Sequence, residues 1–545
     1  MTPEIKTLHL HPDDNVLIAL TDLKKDEWIN HESETIKILT PVPAKHKVSL
    51  IDATSGDVFR MYGVVIGKAT KNIARGEVLT TSNIRHDTVP YTVRKSNYQW
   101  KKPDTSKWTN RTFNGYHRGD GQVGTRNFWL VVPLVFCENR NIEYIREAFA
   151  KKLGYARPNK YETLVDDLID HYKKDVSRNS NASSETSSKR IFENLDGMKF
   201  LTHTGGCGGT KEDSDNLCNL IAGYIHNPNV AGATILSLGC QHAQIDVLKE
   251  SLKKKNKNFD KPVLFFEQQK FPSEEQLLTE AITKTFNELI LANAITRKPA
   301  PLSALTVGLK CGGSDGFSGL TANPAMGYVS DLLVALGGKT ILAEFPELCG
   351  VEQELIDRSV SVDIAEKFST LMTEYNARAE AIGSGFSMNP SPGNIKDGLL
   401  TDAMKSAGAA RKGGTAPVSD VLNYAEYTKA SGLNLLCTPG NDVEATTGMA
   451  GSGATLIIFS TGLGTPTGNA ICPVVKTATN TSLAKKLSYL IDFDHGDIID
   501  KKKSISASGE ELLDFIIQVA NGDVLTKAEQ LQQDDFIPWK KGVSL

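Results

Sequence analysis

Residues 130–137 read LVVPLVFC, a short apolar run that stops at a cysteine and opens into a polar turn. The same pattern returns in FLTHTGGC (200–207), ATILSLGC (233–240) and LTVGLKC (305–311), and a helical pattern follows most of these runs. Strands that alternate with helices are typical of α/β domains built on a parallel sheet. Such sheets bind ligands beyond the carboxyl ends of their strands, so the four thiols are predicted to share one crevice. Packing of the cysteines in a core is the alternative for each of them.

Length and composition indicate a globular protein with several domains. The 545 residues exceed what one hydrophobic core organises, which predicts about three domains. Basic and acidic residues number 61 and 64, and this balance argues against nucleic acid as a partner. Eight cysteines without a CxxC pair suit a reducing compartment, and no apolar run is long enough to span a membrane. We therefore expect a soluble cytoplasmic protein.

Local patterns divide the chain into three parts and a linker. Residues 1–94 contain short β-branched runs separated by turn signals, which predicts a small β module. Residues 95–112 have linker composition, and Trp100 and Trp108 are expected to hold this linker against a surface. Two α/β domains are predicted to follow, at 113–298 and 299–545. The serine-rich stretch 173–190 predicts a mobile surface loop in the first of them.

The two α/β domains show alternating strand and helix patterns. One feature is unusual, a glycine- and serine-rich stretch at 383–398 that is too long to be a simple connection. The predicted strands are 128–136, 235–238, 263–266, 305–309, 340–344, 434–437 and 455–460. The predicted helices are 142–153, 213–225, 273–294, 324–336 and a long one at 351–382.

Four glycine-bearing loops follow predicted strands: GGCGGT (205–210), CGGSDGFSG (311–319), TPGND (438–442) and TGLGTPTGN (461–469). Backbone amides in such loops bind anionic oxygens, although a tight turn that needs positive φ also selects glycine. None of the loops matches GxGxxG or the phosphate-binding loop that ends in Lys-Ser/Thr. Their number at strand ends favours a polyhydroxy acid as the ligand.

Polar side chains outside these loops offer proton transfer and anion binding. His46 and Lys47 open a predicted strand, and imidazole is the side chain best suited to proton transfer near neutral pH. Arg126 precedes the first strand of the middle domain, where its guanidinium either clamps a carboxylate or pairs with an acidic neighbour.

Several motifs resemble the altronate and galactarate dehydratases of sugar-acid catabolism. They are GYHRGDGQVGTRN (115–127), GLKCGGSDGFSGLTANPAMG (308–327), SPGN (391–394) and STGLGTPTGN (460–469), with HPDDN (11–15) and YGVVIG (62–67) in the first module. The resemblance covers almost the whole chain in the right order. It implies an N-terminal β-clip module of the SAF type, a middle α/β domain and a Rossmann-like C-terminal domain with a mostly parallel sheet.

The resemblance also implies a reaction. It is the metal-dependent removal of water from a sugar acid to give a 2-keto-3-deoxy acid, with Fe²⁺ or Mn²⁺ as the ion. D-altronate is the first candidate substrate, and galactarate or another aldarate or aldonate is the alternative. A cation beside the substrate carboxylate stabilises the enolate-like intermediate of such a reaction. We expect a homodimer that has no nucleic-acid or membrane partner.

Site residues are assigned on this basis. His46, Lys47 and His242 are the predicted catalytic residues, and the first module is expected to close over the crevice and exclude water. Cys207, Cys240 and Cys311 are the predicted metal ligands. The predicted substrate contacts are His11, Asp14, Arg126, Asn127, Ser314, Asp315, Ser318 and Asn323.

Two other functions stay open at this point. Residues 80–83 read TTSN where the altronate branch carries HTHN, which favours a non-catalytic sugar-acid-binding paralogue as one alternative. A nucleotide-dependent oxidoreductase is the other, although the glycine fingerprint of that class is absent from the sequence.

Overall fold

Short antiparallel strands build the N-terminal module of the computed structural model, which describes residues 5–95, 97–156, 160–173 and 189–545. Three small sheets have the orders β1-β2-β5, β3-β4 and β6-β7-β8. The strands β6 and β7 pair as an antiparallel hairpin, and Val78 makes an isolated bridge to Val48. The strands are β1 (Thr7–Leu8), β2 (Val16–Ala19), β3 (Trp28–His31), β4 (Glu34–Lys37), β5 (Lys47–Ser49), β6 (Val58–Met61), β7 (Val64–Ala69) and β8 (Ile84–Arg85).

The segment that follows the module runs along the C-terminal domain. Trp108 is buried, and its indole nitrogen donates a hydrogen bond of 2.9 Å to Asp514. The indole nitrogen of Trp100 donates to Thr415 over 3.1 Å. Both tryptophans therefore anchor this polar segment to the domain that closes the chain.

The middle of the chain forms a four-stranded parallel sheet in the order β12-β11-β13-β14. A separate antiparallel sheet has the order β10-β9-β15, and its strands precede and follow the parallel sheet along the chain. Cys137, Cys207 and Cys240 each follow a strand of the parallel sheet, as the recurring pattern predicts. Most of the predicted loop at 173–190 lies outside the described residues. The elements are β9 (Thr112–His117), β10 (Val123–Gly124), β11 (Phe128–Pro133), α1 (Asn139–Ala150), α2 (Lys160–Tyr172), β12 (Gly197–Phe200), α3 (Lys211–His226), β13 (Val230–Ser237), α4 (Ile245–Lys255), β14 (Val263–Glu267), α5 (Glu274–Ala292) and β15 (Arg297–Pro301).

A seven-stranded sheet with only parallel pairs forms the C-terminal domain, in the order β18-β19-β17-β16-β20-β21-β22. Its strands are β16 (Thr306–Cys311), β17 (Lys339–Ala343), β18 (Val418–Leu422), β19 (Gly432–Leu436), β20 (Leu456–Thr461), β21 (Val474–Ala478) and β22 (Phe493–Asp494). Its helices are α6 (Ala322–Ala335), α7 (Glu352–Asp357), α8 (Val362–Glu380), α9 (Pro392–Lys396), α10 (Asp402–Ala409), α11 (Asp442–Gly451), α12 (Thr481–Lys486), α13 (Ile505–Asn521) and α14 (Lys527–Gln530).

The long helix predicted at 351–382 is wrong, because the chain breaks it into α7 and α8. The Arg358 guanidinium donates to the Ala416 carbonyl over 2.7 Å, which turns the chain away from the axis of α7. Ser361 then caps α8 by accepting from the backbone N–H of Ile364.

Helices α3 and α11 join the two α/β domains in a shared core. A Cβ on Gly223 would lie 1.9 Å from the carbonyl oxygen of Gly451, so only glycine permits this helix approach. Among the described residues, no helix has the length and apolar character that a membrane crossing requires.

Candidate active site

A cavity of about 320 Å³ opens at the carboxyl ends of the central strands of the seven-stranded sheet. Its wall carries Cys311 at the end of β16, Glu347 after β17, and Asp442 at the start of α11. Lys405 of α10 and Asn389 of the loop at 383–398 also line it. The cavity therefore lies where open α/β sheets bind their ligands.

Lys412 sits at the centre of a buried charge cluster behind this wall. Its ammonium lies 2.8 Å from the Cys311 sulfur, 2.9 Å from a Glu347 oxygen and 3.5 Å from a Glu344 oxygen. These four side chains are almost fully buried. A buried charge needs a partner of opposite sign, and here the ammonium partners both carboxylates.

Two further lysines extend the cluster to the cavity surface. Lys310 contacts Glu344 over 2.5 Å and Asp442 over 2.7 Å. Lys405 lies 3.1 Å from Glu347 and donates to the Asn389 side-chain oxygen over 2.9 Å. Three ammonium groups therefore face three carboxylates, and the cavity presents both signs of charge to a ligand.

The surroundings shift the pKa values of Glu344 and Glu347 in opposite directions. Burial and the neighbouring Glu347 raise the pKa of Glu344, whose backbone is also held in the left-handed region at φ +71°. Burial opposes ionisation of Glu347 as well, but Lys412 and Lys405 outweigh it and hold its pKa well below the ordinary value. Burial raises the pKa of the Cys311 thiol to about 11. Such divergent carboxyl groups in a cleft mark a candidate site for acid–base chemistry.

The predicted metal role of Cys311 does not fit this arrangement. The ligand atoms of Cys311, Glu344 and Glu347 lie within 4.8 Å of one another, which is a plausible spacing for a divalent cation. The Lys412 ammonium already contacts all three groups, and Lys310 adds a second cation. A divalent ion would have to displace a buried ammonium, so the cation of this cluster is supplied by lysine.

The prediction of one shared crevice for four thiols is also wrong. Cys207 and Cys240 are exposed and lie at the edge of the middle sheet, whereas Cys311 belongs to the other sheet. Cys207 lines a separate cavity of about 360 Å³. Within the described part of the chain, neither Cys207 nor Cys240 belongs to a group of three potential metal ligands. His242 is exposed on the loop before α4 at the same middle-sheet edge and does not line the charged cavity.

The N-terminal module docks on the C-terminal domain through the start of β5. Lys45 bridges Asp315 and Asp397 over 3.0 and 2.7 Å. Lys47 is fully buried and donates to the Gly398 carbonyl over 2.6 Å, and burial lowers its pKa to about 7. The contacts of Lys47 are therefore those of a docking residue, with backbone carbonyls as its partners.

His46 lies between these two lysines and is half-buried. Its Nδ1 is 3.3 Å from the Ala44 carbonyl, and burial lowers its pKa, so the ring is neutral near pH 7. It stands at the contact between the module and the C-terminal domain, outside the wall of the charged cavity. Its catalytic role stays a prediction.

The CGGSD loop uses most of its polar side chains to hold its own shape. Asp315 accepts from the Ser318 hydroxyl over 3.0 Å and also receives the docking contact of Lys45. Asn323 donates to the Gly408 carbonyl and accepts from Ser460. Of the predicted substrate contacts on this loop, Ser314 is the one that lines the charged cavity.

His11 and Asp14 shape a hairpin of the module instead of facing that cavity. The Asp14 carboxylate accepts from the backbone N–H groups of Tyr62 and Gly63, over 2.9 and 2.8 Å. The His11 ring packs against Gly63. The hairpin carries Tyr62 to the C-terminal domain, where the Arg411 guanidinium lies 4.4 Å from its ring centre. The contacts of His11 and Asp14 are structural, and their substrate roles stay a prediction.

Arg126 and Asn127 are likewise structural. Both precede β11 and so lie at the amino end of the middle sheet, opposite the ligand-binding edge. Arg126 is buried and makes two hydrogen bonds to the Glu529 carboxylate, at 2.6 and 3.0 Å. The Asn127 amide donates to the Asn194 carbonyl over 2.8 Å. The predicted substrate contact of this pair is wrong, because neither side chain has a free polar face.

Replacing Arg126 by alanine is expected to lower the free energy of unfolding by about 3–5 kcal/mol, since it strands the Glu529 carboxylate. Denaturant unfolding measures this loss, and KM of the folded fraction should stay unchanged. Arg140→Ala is the matched control, because Arg140 pairs with Glu274 on the surface and should cost about 0–1 kcal/mol. Equal losses in the two variants would contradict the structural role.

The charged cluster was missed by sequence reasoning, although its residues leave a local signal. Lys310 interrupts the apolar run LTVGLKC, and Glu344 and Glu347 interrupt ILAEFPEL at the end of β17. Charged side chains within runs that are predicted to be buried need partners there.

Comparison with known proteins defines the class to which this fold and site belong. Residues 5–87 match the altronate/galactarate dehydratase SAF domain, and residues 115–293 match the D-galactarate dehydratase/altronate hydrolase second domain. Residues 302–544 match the D-galactarate/altronate dehydratase C-terminal domain. The chain belongs to the altronate/galactarate dehydratase family.

Individual relatives agree with this assignment over nearly full length. The chain is 32% identical over 538 residues to an altronate dehydratase of Bacillus subtilis (strain 168), with 99% of each chain covered. It is 33% identical over 540 residues to the altronate dehydratase of Escherichia coli (strain K12), again with 99% of each chain covered. A galactarate dehydratase (L-threo-forming) of Escherichia coli (strain K12) is 29% identical, with 97% of this chain and 95% of the relative covered.

Proposed function

We propose that this chain is a hydro-lyase that removes water from a sugar acid in the charged cavity, with D-altronate as its first candidate substrate. The observation that carries the proposal is the buried set of lysines and carboxylates on the wall of that cavity. Galactarate or another aldarate or aldonate is the alternative substrate.

Lys405 is the residue best placed to bind the substrate carboxylate. Its side chain is 9% exposed and reaches the cavity surface, where Asn389 and Glu347 hold it at 2.9 and 3.1 Å. A proton α to a carboxylate is only weakly acidic, so a cation beside the carboxylate must stabilise the charge that develops. Lys405 supplies such a cation without needing to move.

Asp442 is the candidate general base. Its side chain is 29% exposed and faces the cavity, with one oxygen 2.7 Å from Lys310. Glu347 also faces the cavity, but its low pKa makes it a weak proton acceptor, so its part is to position Lys405. We therefore assign abstraction of the α-proton to Asp442, with His46 as the alternative base.

Elimination then completes the reaction. The electron pair of the broken C–H bond forms a C=C bond, the β C–O bond breaks, and the departing hydroxide takes a proton to leave as water. Burial raises the pKa of Glu344, so this residue can hold a proton near neutral pH. Lys412 contacts both Glu344 and Glu347, and this chain of contacts offers a proton route to the cavity wall. The resulting enol tautomerises to the 2-keto-3-deoxy acid.

The family resemblance further implies Fe²⁺ or Mn²⁺, which would polarise the substrate as a Lewis acid when bound. The donor set of Cys311, Glu344 and Glu347 does not fit such an ion, because lysine ammonium groups already neutralise it. The residues of the charged cavity therefore carry their proposed roles without a step through a metal.

Turnover of a panel of hexonates and hexarates tests the proposal. Protein prepared without oxygen, with Fe²⁺ or Mn²⁺ added in separate assays, should release a 2-keto-3-deoxy acid from altronate with the highest kcat/KM. Product identity is checked by NMR. Binding of sugar acids without turnover of any of them would instead support a non-catalytic paralogue.

Finer features of the protein belong to the same proposal. The antiparallel pairs of the first module support a β-clip, and the seven parallel strands support a Rossmann-like C-terminal domain. All eight cysteines are free thiols, which supports a reducing cytoplasmic location. We also propose a homodimer, which sedimentation would test.

A further inference from the structure

We propose that His86, Cys349 and Asp402 form a site for a divalent transition-metal ion between the N-terminal module and the C-terminal domain. One ligand atom from each of the three residues lies within 4.8 Å of the other two. The site is separate from the cluster around Cys311 and from all three thiols that the sequence singled out as ligands.

Three different elements bring these residues together. His86 directly follows β8 of the module, Cys349 follows the turn after β17, and Asp402 opens α10. Thr401 caps α10, and its hydroxyl donates to the Ile66 carbonyl of the module over 2.5 Å. The site therefore lies on a contact between domains that other hydrogen bonds already hold in place.

Asp402 supplies the observation that points to a missing cation. Its side chain is fully buried, and among the described residues neither carboxylate oxygen has a hydrogen-bond partner. The Cys349 thiol and the Asn389 amide lie beside it as neighbouring donors. A buried carboxylate without a donor or cation is costly, so the arrangement is incomplete as it stands.

In the part of the chain that the structure describes, no lysine ammonium pairs with Asp402 in the way that Lys412 pairs with the carboxylates at Cys311. Lys405 is a nearby cation, but its ammonium is engaged by Glu347 and by the oxygen of Asn389. A metal ion would supply the absent positive charge and bind the ionised carboxylate.

His86 supplies the imidazole of the site. The backbone N–H of Ala403 donates to its Nδ1 over 3.3 Å, so this ring atom faces the start of α10 next to Asp402. An ion bound at this nitrogen would replace that long hydrogen bond. One imidazole, one thiolate and one carboxylate suit borderline ions such as Fe²⁺, Co²⁺ and Zn²⁺ better than Mg²⁺ or Ca²⁺.

The position of the site gives the ion a defined role. Asn389 adjoins Asp402 on one side, and its oxygen accepts from Lys405 on the wall of the charged cavity on the other. An ion here would fasten the module to the C-terminal domain and fix α10, which carries Lys405. This inference concerns binding and does not depend on which substrate is dehydrated.

Cobalt binding tests the site directly. Full-length protein is stripped with a chelator, kept free of oxygen and titrated with Co²⁺, with absorption and metal content as readouts. We expect one Co²⁺ per chain and a thiolate-to-cobalt charge-transfer band. Cys349→Ser should abolish the band, and His86→Gln and Asp402→Asn should each weaken binding at least about tenfold.

Matched variants locate the ion. Cys437→Ser removes another buried thiol of the same domain and should leave the band and the affinity unchanged, as should Cys311→Ser. A band that survives Cys349→Ser but disappears in Cys311→Ser, Cys207→Ser or Cys240→Ser would overturn the proposal. Failure of the intact protein to bind Co²⁺ or Zn²⁺ would overturn it too.

Two further points keep the test decisive. His86 is half-buried at the domain contact, so His86→Gln serves if the variants of the buried Cys349 and Asp402 do not fold. Binding is measured without substrate, so the outcome is distinct from that of the dehydration assay. A chain that binds Co²⁺ with the expected band but turns over no sugar acid would support this site and contradict only the proposed activity.

Discussion

Asp442→Asn lowers kcat by about 10²- to 10⁴-fold if Asp442 is the general base, which is the scale typical of losing such a group. Asparagine keeps the shape of the side chain but cannot accept the α-proton. Lys310 retains its 2.5 Å contact with Glu344, so the buried cluster keeps a partner for this ammonium. Steady-state kinetics on the best substrate of the panel measures the effect, together with thermal unfolding to check the fold.

Asp420→Asn is the matched control for this variant. Asp420 lies on β18 of the same sheet with a side chain 26% exposed, close to the 29% of Asp442, but it does not line the cavity. Its kcat should stay within about twofold of the parent value. Near-normal turnover of Asp442→Asn combined with a large loss in His46→Gln would move the base to the N-terminal module and contradict the assignment.

The order of strands and helices follows from local patterns, which is why the sequence predicts it well. Apolar runs such as 305–311 are buried on both faces, and this property is visible without knowledge of the fold. The start of helix α8 was harder to predict, because the break between α7 and α8 depends on Arg358 binding the carbonyl of Ala416, 58 positions further along the chain. A helical pattern carries no information about such a distant partner.

The prediction of one shared crevice is wrong for a related reason. A cysteine at the end of a strand is predicted correctly at Cys137, Cys207, Cys240 and Cys311, but strand order decides which ends meet. The first three strands belong to one sheet and β16 belongs to another. Local sequence does not reveal which strand belongs to which sheet, since the strands of both sheets are parallel and are followed by helices.

Long-range charge pairs explain the remaining differences. Arg126 is separated from Glu529 by 403 positions, and its pairing turns a plausible carboxylate clamp into a structural ion pair. Lys412 and Lys405 look like surface residues in the sequence, yet both meet Glu347 in the interior. Motif-based reasoning identified the loop that begins at Cys311, but Lys405 and Lys412 come from a segment without a recognisable motif.

Lys405→Met should lower kcat/KM by about 30- to 3,000-fold, with most of the loss in KM. The reason is that a substrate carboxylate in a closed cavity loses its cation, a change worth about 2–5 kcal/mol. In this variant the Glu347 carboxylate keeps its 2.9 Å contact with Lys412, so it retains one of its two ammonium partners. Lys405→Arg restores a positive charge at the same place and should recover part of the affinity.

Lys339→Met provides the comparison that isolates the effect of position. Lys339 opens β17 at the amino end of the sheet, whereas Lys405 lies over the carboxyl ends, and both side chains lose solvent on folding. Removing the charge at Lys339 should leave KM unchanged, because no part of the cavity wall is near that end of the strand. Parent-like KM and kcat in Lys405→Met would show that another cation holds the carboxylate. The docking residue Lys45, which already bridges Asp315 and Asp397, would then be the next lysine to replace.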